Sequence, residues 1–320
     1  MKYSTFYASI LTYLVIAGCA KRDEYPVFKG PYLGQNPPGM TPRVFAPEIF
    51  SKSRPEWAFD ATFALGGDEF YFTMFNQEKG LDTIMCMKRL NDTWTRPEAV
   101  SFNGTTNNHN LCISPAGDRI VFRSWRPLPG SVMPEERPFL WFVQRTAHGW
   151  SEPRSVECGG AHYRASRPGI ARDGSLYFAH RSEKTSGQSD VYRSRFVGDS
   201  YATPENLGST LNTKYLEGDL CIAPDESLII VSCWDRPDNN GESDLYISFR
   251  RNDDSWTALE NLGGPINTDS NENCPTLSPD GKYFFYMRVD VDGDTPRCST
   301  FWVDAGILDQ HRPDDLKSIR

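Results

Sequence analysis

Leu277-Ser278-Pro279-Asp280-Gly281-Lys282-Tyr283-Phe284-Phe285-Tyr286-Met287 reads as the end of one strand, a tight turn and a second, strongly apolar strand. Pro279 presets φ for the turn, Asp280 brings a side-chain acceptor, and Gly281 is free to take positive φ. The aromatic run after it is too short to span a membrane and is rich in β-formers, which fits a buried strand. Four more versions occur upstream. Their turns are Leu65-Gly66-Gly67-Asp68, Ser114-Pro115-Ala116-Gly117, Ala171-Arg172-Asp173-Gly174 and Ala223-Pro224-Asp225-Glu226, each ahead of an apolar strand. The fourth has lost its glycine. From Gly67 to Gly117, Gly174, Glu226 and Gly281 the steps are 50, 57, 52 and 55 residues, one supersecondary unit per copy.

Each unit carries more than the hairpin. A polar loop with an arginine follows the second strand (Arg126, Arg181, Arg236, Arg288). A third strand then starts near an acidic residue and an apolar pair, as in Ser189-Asp190-Val191-Tyr192 and Ser243-Asp244-Leu245-Tyr246. An aromatic residue opens a fourth, outer strand at Trp94, Trp150, Tyr201 and Trp256. Four strands per unit of this length make a β-propeller blade, and no long helical periodicity lies between them to suggest a solenoid. The fifth unit lacks its outer strand. Arg43-Val44-Phe45-Ala46-Pro47, ahead of the first unit, is the candidate to supply it and close the ring. The expected fold is therefore an all-β propeller with five four-stranded blades closed by an N-terminal strand; six blades is the alternative.

Ser-Pro-Asp-Gly ahead of an aromatic strand, followed by Asp-hydrophobic-Tyr, resembles the WD-like repeat of the TolB-type propeller family. The resemblance covers roughly residues 41–308, is strongest in the fifth copy, and implies a propeller common in bacterial envelope proteins. Nothing before Thr41 resembles the N-terminal domain of TolB itself. It implies a fold far more than a function, because propellers host both binders and enzymes.

The chain ends are read separately. Residues 1–18 have the weak positive start and short apolar stretch of a signal peptide. Ile16-Ala17-Gly18-Cys19 resembles the bacterial lipobox, which implies that Cys19 is lipidated and that the membrane is reached through this anchor alone. With Ala20 rather than Asp after the cysteine, the resemblance implies an outer-membrane lipoprotein of the cell envelope, facing the periplasm or the surface. Residues 19–40 read as the lipidated cysteine and a tether, with an ordered strap carried by Tyr25, Phe28 and Tyr32 as the alternative. Residues 309–320 form a charged tail. A net charge of −8 argues against nucleic acid as a partner. Beyond Cys19 there are seven cysteines without metal-type spacing, expected to be buried mostly as small apolar residues, with one or two bridges open.

In a propeller the segments entering the innermost strands form one mouth of the central channel. Here they bring together Asp60, His109, Asn110, Arg164, Arg167, Glu217, Asp219, Glu272 and Asn273, a convergent polar set that is the default ligand site. The expected function is a non-catalytic binding module for an envelope protein or a glycan. The alternative is a carbohydrate-active enzyme, a glycoside hydrolase or lyase, using the carboxylates Asp60, Glu217, Asp219 and Glu272. No residue is assigned as catalytic, since neither a Gly-x-Ser-x-Gly elbow nor a glycosidase signature occurs. No cofactor is expected. No metal site is expected either: the five histidines are scattered, and Asp290-Val291-Asp292-Gly293-Asp294 has its glycine too early for a calcium loop. The SPDG turns are structural. What distinguishes one copy from the next is where function should be sought.

Overall fold

The computed structural model describes residues 25–50, 57–76, 80–131, 137–181, 188–292 and 295–317; Cys19 and the signal segment lie outside them, as do Gly293 and Asp294. The chain is a five-bladed β-propeller of four-stranded antiparallel blades, so the six-blade alternative falls. Blade 1 runs outward through Ala58–Phe63, Glu69–Asn76, Leu81–Leu90 and Glu98–Ala99. Blade 2 uses Asn108–Ile113, Arg119–Ser124, Phe139–Thr146 and Arg154–Ser155. Blade 3 uses Gly169–Ile170, Leu176–His180, Asp190–Ser194 and Glu205–Asn206. Blade 4 follows with Leu216–Ile222, Leu228–Trp234, Ser243–Phe249 and Glu260–Asn261.

Blade 5 shows how the ring closes. Its three sequential strands, Asn271–Leu277, Tyr283–Asp292 and Thr295–Asp304, take Arg43–Val44 as the outer strand, with Arg43 opposite Trp302 and Val44 opposite Phe301. Phe45, next in the chain, is fully buried among Phe50, Phe63, Phe70, Phe285 and Trp302, joining blades 1 and 5 through one aromatic cluster. Residues 25–40 lie against the same two blades as an ordered strap. Phe28 and Leu33 are buried in that cluster. Tyr32 meets Phe63 and Tyr283 edge-on and Trp302 at a tilt and donates its hydroxyl to Asp280, while Trp94 donates its indole N–H to the Gly30 carbonyl.

The turns have the expected chemistry. In the fifth copy the Gly281 N–H bonds the Ser278 carbonyl at 2.9 Å, Gly281 takes φ +70°, and the Asp280 carboxylate accepts from Ser278 Oγ and the Lys282 N–H. In the fourth copy Glu226 keeps the left-handed backbone without glycine, at φ +60°. Its carboxylate accounts for the exchange: it accepts from the Tyr177 hydroxyl of blade 3 and from Arg250 of its own blade, a strained backbone held by charge-assisted bonds.

Two features lie beyond the sequence reading. The aromatic residues expected to open the outer strands sit one step earlier: Thr93–Trp94 and Gly149–Trp150 fold back on the end of the third strand, and the outer strand follows several residues later. Between blades, a buried asparagine docks each outer segment onto a third strand. Asn103, Asn212 and Asn267 each accept from the N–H and donate to the C=O of one residue, Ile84, Val191 and Leu245 respectively, at 2.7–3.0 Å. Each thereby gives the N–H its acceptor and gives the C=O a second donor beside the N–H of Val100, Leu207 or Leu262. The seven described cysteines are free thiols, six of them buried, so no bridge staples the blades.

Candidate functional site

The first strands of blades 1, 2, 4 and 5 all slip register within one residue of the same place: after Phe59, His109 and Asn273, and one residue earlier, after Glu217, in blade 4. A bulge there re-aims one side chain. Asp60, Asn110 and Cys274 take it up with φ of +64°, +51° and +51°. Asp219 and, in blade 3, Arg167 stand at the matching positions, so each blade places one residue on the channel axis. The five bond to one another. The Arg167 N–H and the Cys274 thiol both donate to Asp219, at 3.0 and 3.3 Å, and the Asn110 side-chain amide lies 3.4 Å from the same carboxylate. Asp60 accepts from the Asn110 N–H at 2.6 Å and from Thr73 Oγ1 at 3.0 Å.

Arg167 closes the channel at this level. Its guanidinium, 2% exposed, donates to the carbonyls of Leu220 and Pro275 and to the hydroxyls of Thr62 and Thr276, reaching blades 1, 4 and 5 from blade 3. Its Nε lies 3.4 Å from Asp60 Oδ1, an ion-pair distance without hydrogen-bond alignment. Burial is the largest single influence and opposes the charge on Arg167, but Asp60 together with Cys274, Cys112 and Cys221 outweighs it, so the guanidinium is held above its ordinary value. Burial likewise raises the Asp60 carboxyl, against the pull of Arg167 and His109.

Above this floor opens a cavity of about 800 Å³; below it only about 80 Å³ remains. Of the sequence-predicted residues, His109, Asn110, Arg164, Glu217, Asp219 and Asn273 line the upper cavity. Asp60 and Arg167 form its floor. Glu272 does not reach it: fully buried, it accepts from Thr268 Oγ1 at 2.7 Å and from Arg288 Nε at 2.8 Å. Glu217 has the same local geometry in blade 4, with Thr213 Oγ1 at 2.5 Å, but its would-be partner Arg236 is drawn to Asp238 at 3.1 Å. Glu217 Oε2 is left without a hydrogen bond, and burial, with Asp190 nearby, pushes its carboxyl up to about 7 against the two bonds from Thr213. On the second strand of blade 5, Asp290 accepts from Ser270 Oγ at 2.8 Å. Among the described residues no group of acidic, histidine or cysteine side chains has metal-binding geometry.

Sequence reasoning missed much of the wall. Arg123, Arg137 and Arg181, from blades 2 and 3, face the cavity alongside Arg164, which lies over the Phe139 ring at 4.8 Å. Phe59, Trp234, Met287 and Val289 give blades 1, 4 and 5 an apolar side. Four buried polar atoms on lining residues have no hydrogen-bond partner: His109 Nε2, Arg123 Nε, Glu217 Oε2 and Ser232 Oγ. Period-two alternation on the second strands held the signal, since Ser232 and Trp234 point the same way, as do Met287 and Val289. Gly218 lies on this wall because Ser232 Oγ approaches within 2.7 Å of where a Cβ would stand.

No family model and no curated protein matches the chain. Solved structures do. A protein described as a glycoside hydrolase superposes with a TM-score of 0.53 at 10% identity, over 86% of this chain and 92% of that one. BT0996, in an RGII complex, gives 0.52 at 10% identity over the same shares. A prolyl endopeptidase matches 75% of this chain with a TM-score of 0.40 at 11% identity; the chain spans about a third of that protein's length. At such identities the likeness is one of fold.

Proposed function

We propose that the chain is a non-catalytic binding module, held in the bacterial envelope by a lipid on Cys19, that recognises a glycan or a protein through the upper channel mouth. The observation that carries this reading is how the carboxylates are committed. Asp60 faces Arg167 in the floor, Glu272 is paired with Arg288 away from the cavity, and Asp219 holds three donors. A glycosidase needs two carboxyl groups free to reach one glycosidic oxygen and one anomeric carbon. A ligand-sized cavity with cationic and aromatic side chains on its wall suits recognition instead.

One feature favours the enzymatic alternative: Glu217, with an unpartnered oxygen and a carboxyl raised to about 7, lies two residues from Asp219. Residues 20–320 incubated with glycans retained on an array separate the two. A binder returns each glycan intact by mass spectrometry, and Glu217→Gln binds within a few-fold of the parent. Shortened or unsaturated products that disappear in Glu217→Gln would establish the enzyme. The anchor is tested by palmitate-analogue labelling against Cys19→Ser; equal labelling of both removes it.

A further inference from the structure

Resting on the reading of the channel mouth as a binding site, we propose that its ligand is a uronate, a sugar carrying a carboxylate, presented at the end of a glycan or in a short stretch of one. The first ground is charge. The protein is acidic, at −8, yet one side of this cavity is built from guanidinium groups. The loop arginines of the other blades are occupied: Arg126 donates to Asn108 Oδ1 at 2.8 Å, Arg236 to Asp238 and Arg288 to Glu272. Arg181 and Arg137 are both exposed and line the mouth, and among the described residues neither meets a carboxylate. Deeper in, Arg123 gives one nitrogen to Asn110 Oδ1 at 3.0 Å and keeps a buried Nε unpaired. A planar guanidinium fork matches a carboxylate in two parallel bonds.

The second ground is the opposite wall. Phe59 and Trp234 offer aromatic surface to the cavity, and the Trp234 indole N–H has no acceptor among the described residues. A pyranose ring has an apolar face to lay on an aromatic side chain, with hydroxyls around its rim that both donate and accept. Guanidinium on one side and an indole on the other describe a ring with a carboxylate at its edge. An acidic peptide suits the cavity less well. Strand addition needs free backbone donors, and the axis-facing N–H groups of Asn110 and Arg167 are taken by Asp60 and Asp219. The Arg167 floor also makes the cavity a dead end, which admits a chain terminus or short segment rather than a threaded polymer.

The test is calorimetry on residues 20–320 with short oligomers of galacturonate, guluronate and mannuronate, their methyl esters, a neutral oligosaccharide, a sulfated one and an acidic peptide. We expect at least one uronate to bind, its methyl ester to bind at least about tenfold more weakly through loss of charge-assisted bonds, and added salt to weaken the acid form. Arg181→Gln and Arg137→Gln should each weaken it by about tenfold with unchanged melting, since both side chains are exposed. Equal binding of acid and ester, no binding by any uronate, or tighter binding of the sulfated oligomer or the peptide overturns the inference. If the neutral sugar binds and both arginine variants are silent, the uronate falls while the binding module stands. Cleavage of a bound uronate removes the non-catalytic reading and supports the uronate assignment.

Discussion

Replacing Arg167 by Met tests whether the axis residues are a structural plug. The guanidinium bridges four blades and faces Asp60, itself 1% exposed. Methionine fills most of the volume and leaves Asp60 with Asp219 close by and only the weaker influence of His109 and Arg123 to oppose its charge. Removing one partner of a buried pair costs about 3–5 kcal/mol. For a chain of this size that is a fall of roughly 6–10 °C in Tm, taking about 2 °C per kcal/mol. The sign of the pH dependence is fixed as well. Asp60 is already raised by burial, and Arg167 is the largest influence lowering it. Without Arg167 its folded value climbs further above the unfolded one, the native state binds more protons, and stability falls as pH rises between the two. The deficit of Arg167→Met should therefore be larger at pH 8 than at pH 5, measured by thermal melts followed by circular dichroism. Asp60→Asn in the same chain removes the stranded charge and should recover at least half of the loss. A deficit under about 1 kcal/mol, or a double variant as unstable as the two single losses added, would refute the plug.

Deleting residues 41–48 removes the closing strand and the fully buried Phe45, and should lower the melting temperature of the whole propeller in one transition; unchanged melting counts against closure by that strand. Asn267→Ala strands the N–H of Leu245, whose C=O keeps the Leu262 N–H, and is expected to cost about 1–3 kcal/mol by urea denaturation, whereas the exposed Asn252→Ala should be silent. Glu217→Gln keeps an acceptor for Thr213 and removes a carboxyl raised from 4.5 to about 7. The parent loses stability as pH climbs through that window, by at most about 3 kcal/mol, so the variant should gain on the parent between pH 5 and pH 8. Parallel pH profiles would show that the carboxyl is not shifted.

The legible part of the chain is the part that repeats. Hairpin turns such as Ser278–Gly281 recur because every blade needs the same bend, and the missing fourth strand of the last unit pointed straight to Arg43–Val44. Outer strands were harder to place. They are two residues long, too short for alternation to show, and the conspicuous Trp94 and Trp150 anchor the return before them. Glu272 was misleading for a related reason. It opens a first strand and is acidic, but Thr268 four residues earlier and Arg288 on the next strand turn it into a brace, and only three-dimensional pairing shows that.

The axis ring carries the same lesson further. Asp60, Asn110, Arg167, Asp219 and Cys274 occupy one position of one repeat, yet no two blades except the first and fourth use the same residue type there. A scaffold element would converge on one side chain. Five positions that must meet at a point cannot, because five identical charges would repel and five identical amides would leave donors and acceptors unmatched. Divergence at the axis is thus what a closed channel requires, and by itself it does not mark a binding residue. Divergence one layer higher has no such cause. Arg181, Trp234 and Val289 stand where second strands reach the open mouth and do not touch across it, so packing imposes no complementarity on them. Their assortment, cationic on one side and aromatic on the other, is variation that the fold does not account for and that the proposed ligand would.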